Sequence, residues 1–188
     1  PRIQNAFTRA HYKIVNLDDE FATIKAELEY NPTCDFAASR GEYLNGLIMA
    51  KYLGFEFVDP KELIFFNEEH GLNTYKTEKK VDECLKNVEY AVIPGFYGSD
   101  KLGQIMTFSR GGSDITGSIV AAALKADVYE NWTDVSGFLA ADPRIVDNPV
   151  GIDMITYREL RELSYMGASV LHEEAIFPVR SEIGRAHV

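Results

Sequence analysis

The chain has 188 residues, 46% of them hydrophobic, with 29 acidic against 19 basic side chains and a formal net charge of −10. That length allows one α/β domain with a real core, while the acidic balance excludes a nucleic-acid binder built on a basic face. No apolar run approaches the roughly 20 residues that span a bilayer, and nothing at the N-terminus reads as a signal peptide.

The first periodic segment lies between Asn5 and Tyr30, where Phe21, Ile24 and Leu28 fall at helical spacing before Asn31-Pro32 stops the helix. Cys34–Ala38 is a short apolar run that predicts a strand or the approach to one. Glu42–Tyr52 predicts a helix with Leu44, Leu47 and Ile48 on its apolar side, stopped at Gly54. Phe55–Val58 and Leu63–Phe66 are short strand-like runs, Lys79–Asn87 reads as a helix, and Tyr90–Phe96 is apolar and ends in glycine turns. Gly103–Ser109 predicts a further strand, Ile115–Lys125 a helix, Ala126–Asn131 a strand, and Tyr157–Met166 an amphipathic helix ending at Gly167. Strands alternating with helices predict a sheet covered by helices on both faces. No repeat or linker divides the chain, so one domain is expected.

Cys34 and Cys84 lie far apart, and neither the cysteines nor the histidines have metal-ligand spacing. Reduced thiols, a cytoplasmic location and no protein metal site are therefore expected.

The segment with most chemistry is Ser109-Arg110-Gly111-Gly112-Ser113-Asp114-Ile115-Thr116-Gly117, between a predicted strand and a predicted helix. Glycines allow a tight turn close to a ligand. Ser113 or Asp114 can cap the helix, whose N–H groups then face the crevice at the strand ends. Arg110 can grip a carboxylate bidentately, and Asp114 can hold an ammonium group. Read alone, the segment fits a plain helix cap as well as a ligand site. Ser39-Arg40-Gly41-Glu42 falls at a second predicted loop-to-helix junction, where Glu42 either pairs with an ammonium group or favours the helix macrodipole. Trp132-Thr133-Asp134-Val135-Ser136-Gly137-Phe138, followed by Ala141-Asp142-Pro143-Arg144, suits either a nucleotide site or a hairpin loop with an exposed ion pair. Gly95-Phe96-Tyr97-Gly98-Ser99-Asp100 is a further glycine turn, and His172 reads as a structural histidine. No Walker A lysine motif occurs.

Taken in order, Ser-Arg-Gly-Glu, Pro-Gly-Phe-Tyr-Gly-Ser, Arg-Gly-Gly-Ser-Asp, Trp-Thr-Asp-Val-Ser-Gly, Ala-Asp-Pro-Arg and Met-Gly-Ala-Ser-Val-Leu-His resemble the aspartate kinases, up to about Arg180. The resemblance implies the amino acid kinase fold, a three-layer α/β/α sandwich around a mainly parallel sheet, incomplete here at the N-terminus. It implies ATP-dependent phosphorylation of the β-carboxylate of L-aspartate to 4-phospho-L-aspartate, the first step toward lysine, threonine and methionine, with Mg²⁺ on the nucleotide. Carried over by position, Glu42, Arg110, Ser113 and Asp114 match the aspartate site, with Arg110 and Asp114 catalytic. Thr133, Asp134, Phe138, Arg144 and Ser169 match the nucleotide site. The expected partners are aspartate and ATP, with no nucleic acid or membrane, and the parent is expected to be a homo-oligomer.

The chain also departs from the family pattern. The N-terminal Lys-Phe-Gly-Gly strand, whose lysine bridges the phosphates, and the C-terminal regulatory ACT domains are absent from this sequence. Phe138 replaces a frequent tyrosine, Ser169 a lysine found in some members, and His172-Glu173-Glu174 a frequent His-Pro-Glu. The expectation is a partial catalytic domain over residues 1–181, with little activity of its own. The residues 182–188 coincide with one reading frame of a common sequencing adapter, and are expected to be an adapter-derived tail. Finding their codons in the source genome would refute that. Two other readings stay open: a glutamate, carbamate or nucleoside monophosphate kinase of the same fold, and a binding module without turnover.

Overall fold

The computed structural model describes residues 15–30, 32–108, 112–132, 138–142, 145–165 and 186–187. Helix α1 (Asp18–Tyr30) opens on Asp18, Asp19 and Glu20, acids that suit a helix N-terminus. It buries none of its residues.

Helix α2 (Cys34–Leu53) begins where the sequence predicted a strand. Thr33, held extended after Pro32, is its N-cap: the Thr33 hydroxyl accepts the Phe36 N–H at 3.1 Å, and the Ala37 N–H bonds back to the Thr33 carbonyl. Capping decides the element, because a five-residue apolar run carries too little periodicity to specify a strand. The helix then continues unbroken through Ser39-Arg40-Gly41, so Glu42 lies about two turns inside it and not at a junction. Gly54 closes it in the left-handed region at φ 72°.

Strand β1 (Glu56–Phe57) follows, then a 3₁₀ turn at Pro60–Glu62, capped by the Asp59 carboxylate. Helix α3 (Thr74–Leu85) starts before the predicted Lys79 because Asn73 caps it, accepting the Lys76 N–H. Its Thr77, Val81 and Leu85, four residues apart, all face the core. Strand β2 (Ala91–Val92) pairs parallel with β1, in the register Glu56↔Ala91. Strands β3 (Tyr97–Ser99) and β4 (Ile105–Thr107) form an antiparallel hairpin. Asp100 sets its turn, accepting the N–H groups of Leu102 and Gln104, and Gly103 takes φ 77°. The Leu63–Phe66 run joins β3 through a parallel bridge from Phe65 to Ser99.

Helix α4 (Gly112–Ala123) ends at Lys125, which adopts φ 51°. The predicted strand over Ala126–Asn131 does not form. That stretch lies over α4 instead, the Tyr129 hydroxyl donating to the Asp114 carbonyl at 3.1 Å. Beyond it, β5 (Phe138–Leu139) pairs antiparallel with β6 (Gly151–Ile152), and β7 (Met154–Ile155) with β8 (Ala186–His187). Thr156 and Glu159 form a reciprocal capping box at the start of helix α5 (Tyr157–Tyr165). The hydrogen bonds from Thr156 hold the Glu159 carboxyl below its ordinary range.

The β1–β2 ladder is the middle layer. On one face Phe57 meets Tyr43 of α2 edge to face, with ring centres 5.5 Å apart. On the other, Val58, Ala91 and Ile93 pack with Val81 and Leu85 of α3 and with Val120 and Ala123 of α4. Leu63 and Ile64, with no exposure, centre that cluster. Leu72 and Phe108 pack both there and on Ile115 and Ile119. A separate cluster joins Phe138, Ile155 and Leu160. The α/β class and the layering expected from the alternating pattern are thus present.

Candidate functional site

The Pro94–Phe96 loop after β2 meets the first turn of α4. The Thr116 hydroxyl accepts the Phe96 N–H at 3.0 Å and donates to the Gly112 carbonyl at 2.7 Å. The Phe108 N–H bonds to the Phe96 carbonyl. These bonds hold Phe96 at φ 82°, a conformation that costs a non-glycine residue about 1–3 kcal/mol and is typical of ligand sites. Two close approaches need glycine here. A Cβ on Gly95 would stand 2.6 Å from the Ser113 Cα, and one on Gly112 would stand 2.8 Å from the Phe96 Cα.

Helix α2 passes on the other side. A Cβ on Gly46 would stand 2.5 Å from the Pro94 Cγ, so this glycine lets the helix lie directly on the loop. Glu42, one turn earlier, is exposed and faces the same space as Ser113. The result is a cavity of about 450 Å³ whose wall includes Glu42, Asn45, Met49, Gly95, Ser113 and Thr116. It offers a carboxylate on one wall, and a hydroxyl beside the N–H groups of a helix N-terminus on the other. That arrangement can hold an ammonium group and an anion a short distance apart.

Of the residues the sequence nominated, the structure brings Glu42 and Ser113 together from helices far apart in the chain. Asp114 lies in the first turn of α4, beside the half-buried Tyr129. Burial and then the Asp114 charge push the Tyr129 phenol up to about 12. Phe138 is only 5% exposed, and its ring packs into the cluster with Ile155 and Leu160, so it serves the core and is not an open stacking platform. Arg110, Thr133, Asp134, Arg144 and Ser169 lie outside the described residues, as does His172. Gly98 is a packing position: a Cβ there would stand 2.5 Å from the Ile64 carbonyl oxygen. Sequence reasoning missed Thr116 and Tyr129. A threonine inside an otherwise apolar helix was the available signal for the first, since such hydroxyls bond backbone groups. Among the described residues no group of three or more His, Cys, Asp or Glu side chains could hold a metal ion.

The sequence profile of the amino acid kinase family matches residues 5–188. Aspartokinase 3 of Bacillus subtilis (strain 168) is 40% identical over 172 residues, which cover 86% of this chain and 37% of the relative. The crystal structure of the Clostridium acetobutylicum aspartate kinase superposes with a TM-score of 0.84 at 57% identity, covering 89% of this chain and 38% of that one. Aspartokinase III of E. coli, crystallised in complex with aspartate and ADP, superposes with a TM-score of 0.74 at 26% identity, over 87% of this chain and 41% of its own. The chain therefore spans about two fifths of the length of these relatives. With the profile matching from residue 5 to the last residue, and solved relatives sharing its fold, the chain belongs to the amino acid kinase family.

Proposed function

We propose that the protein of which this chain is a part transfers the γ-phosphoryl group of ATP to the β-carboxylate of L-aspartate, giving 4-phospho-L-aspartate. The observation that carries the reading is the convergence of Glu42 and Ser113 on one cavity across the Gly95 loop, in a chain that resembles aspartate kinases. A β-carboxylate oxygen attacks phosphorus, and the bond from phosphorus to the β,γ-bridging oxygen breaks, releasing ADP. Such a reaction depends on alignment and on neutralising charge spread over the phosphoryl oxygens.

Glu42 pairs with the substrate ammonium group, Arg110 binds its α-carboxylate, and Ser113 and the α4 N-terminus add donors. Asp114 orients the ammonium end. Thr133, Asp134, Phe138, Arg144 and Ser169 belong to the nucleotide side, with the backbone of Phe138 the part left to reach a ligand. Mg²⁺ bound with the nucleotide would offset part of the charge on its phosphates. A cytoplasmic, homo-oligomeric enzyme on the route to lysine, threonine and methionine fits this reading. Among the described residues no helix is long and apolar enough to cross a membrane.

The test is aspartate-dependent ADP release by the full-length protein. Turnover lost in Arg110→Ala and Asp114→Ala, with a raised aspartate KM in Glu42→Gln, is the expected result. No turnover with aspartate, but turnover with glutamate, carbamate or a nucleoside monophosphate, would reassign the substrate. Binding of ATP and aspartate without any product would make the domain a sensor.

A further inference from the structure

Arg40 sits on the opposite side of α2 from Glu42, since two residues on a helix point about 200° apart. It is 9% exposed and is held from within its own helix. Its Nε and Nη2 donate to the Ser39 hydroxyl at 3.2 and 3.0 Å, and that hydroxyl donates to the Phe36 carbonyl at 2.8 Å. The Phe36 and Tyr43 rings, about one turn before and one turn after it, lie 4.6 Å from the guanidinium carbon. Beyond the helix the guanidinium meets β3, where the ring of the fully buried Tyr97 lies 5.3 Å away.

Tyr97 is fixed in turn at its hydroxyl end. The hydroxyl donates to Asp59 Oδ1 at 2.9 Å, and the same oxygen accepts the Lys61 N–H at 3.0 Å, at the head of the 3₁₀ turn. The other Asp59 oxygen is left to offset the charge of Arg40, which lines the same cavity. The three side chains share one field: burial and then the Asp59 charge push the Tyr97 phenol up, and Arg40 opposes the rise. Directly across the hairpin from Tyr97 stands Thr107 of β4. Its hydroxyl donates at 2.6 Å to Asp35 Oδ1, in the first turn of α2.

Helix α2 is therefore tied to one rung of the hairpin at Asp35 and at Arg40, about 7.5 Å apart along its axis. A single contact would let the helix roll, whereas two at different heights fix its roll as well as its place. Roll is what aims Glu42. Side chains reach about 5–6 Å from the axis, so a roll of about 10° moves the carboxylate about 1 Å. A charge-assisted hydrogen bond does not survive a shift of that size. The opposite wall of the Glu42–Ser113 cavity hangs on the same contact, because Tyr97 directly follows Phe96 in the loop that packs on Ser113. Taking that cavity as the acceptor site of the reaction above, we propose that Arg40 and Tyr97, with Asp59 behind them, are positioning residues that set the distance between Glu42 and the Gly95–Ser113 wall. They govern how tightly the acceptor is held without touching it.

The experiment measures kcat and the KM values for ATP and acceptor in the full-length protein, with whichever acceptor the unmodified protein phosphorylates. Turnover of an acceptor other than aspartate would thus reassign the substrate and leave this test in force. Should no acceptor turn over, the Kd for aspartate takes the place of its KM. Tyr97→Phe removes only the hydroxyl that Asp59 holds. Because Glu42 grips an end of the substrate that does not react, this variant should raise the acceptor KM about tenfold, with kcat and the ATP KM within about twofold. Arg40→Lys keeps the charge but loses the planar fork and its stacking, and should act in the same way. The double variant should fall short of the product of the single effects, because both loosen one contact. Val81→Ala, at a fully buried site of α3 in the main cluster, should lower the Tm and leave the acceptor KM unchanged, which separates positioning from plain loss of stability. An acceptor KM unmoved in both Tyr97→Phe and Arg40→Lys overturns the proposal. So does an equal rise in the ATP KM, an equal rise in Val81→Ala, or a double variant that shows the full product.

Discussion

Thr116→Val isolates the bond that holds the Gly95 loop against α4. Valine keeps the shape of threonine and removes only the hydroxyl, which both accepts the Phe96 N–H and donates to the Gly112 carbonyl. A part-buried N–H left without a partner costs about 1–3 kcal/mol. Phe96 stores about 1–3 kcal/mol in its φ of 82°, and once that bond is gone the loop can relax and recover part of it. The net expectation is a loss of about 1–2 kcal/mol, because relaxation offsets only some of the lost pairing. For a domain of this size each kcal/mol lowers the Tm by about 2–4 °C, so the variant should melt roughly 2–8 °C lower. Relaxation also carries Gly95 away from Ser113, so in the full-length protein the aspartate KM should rise while the ATP KM stays put. Thr116→Ser, which keeps the hydroxyl, should restore the aspartate KM. A valine variant melting within about 1 °C of the unmodified chain, with an unchanged aspartate KM, would refute the reasoning.

Gly46→Ala places a methyl 2.5 Å from the Pro94 Cγ. Pushing α2 off the loop should cost about 1–3 kcal/mol in urea unfolding. Leu63→Ala empties a position with no exposure at the centre of the main cluster and should cost about 2–5 kcal/mol by the same measurement. Tyr129 keeps its proton to about pH 12 when folded, whereas an unfolded tyrosine releases it near 10. The unfolded chain therefore binds fewer protons in that window, and stability should fall as the pH rises from about 10 to 12. Tyr43 and Tyr97 are shifted in the same direction. Tyr129→Phe should flatten the fall in Tm over that interval, while the other two tyrosines leave a residue of it.

The sequence made α3, α4 and α5 legible because each is long enough to show its period or carries a cap. It misled at Cys34–Ala38, where a short apolar run outweighed the Thr33 cap that begins α2. That mistake also put Glu42 at a junction, with a dipole role it does not have. At Ala126–Asn131 the deciding contact is tertiary: Tyr129 lies over Gly117, where a Cβ would stand 2.6 Å from the phenol oxygen. No local pattern announces such a contact. The two-residue strands β5, β6 and β7 are too short to alternate visibly. That Glu42 and Ser113 line one cavity was not legible from either segment alone and was expected only from the family resemblance, and the part of Gly46 and Thr116 in fixing their spacing was not legible at all.

Because Leu72 and Phe108 belong to two clusters at once, the apolar interior around Leu63 and the one around Ile115 should melt as a single cooperative unit. The Phe138–Ile155–Leu160 cluster shares no member with it among the described residues. Amide hydrogens of β5 to α5 should therefore exchange through a sub-global opening that leaves α2, α3 and α4 protected. The cavity that Glu42 and Ser113 line lies wholly in the unit that stays protected, so its walls should persist through that opening.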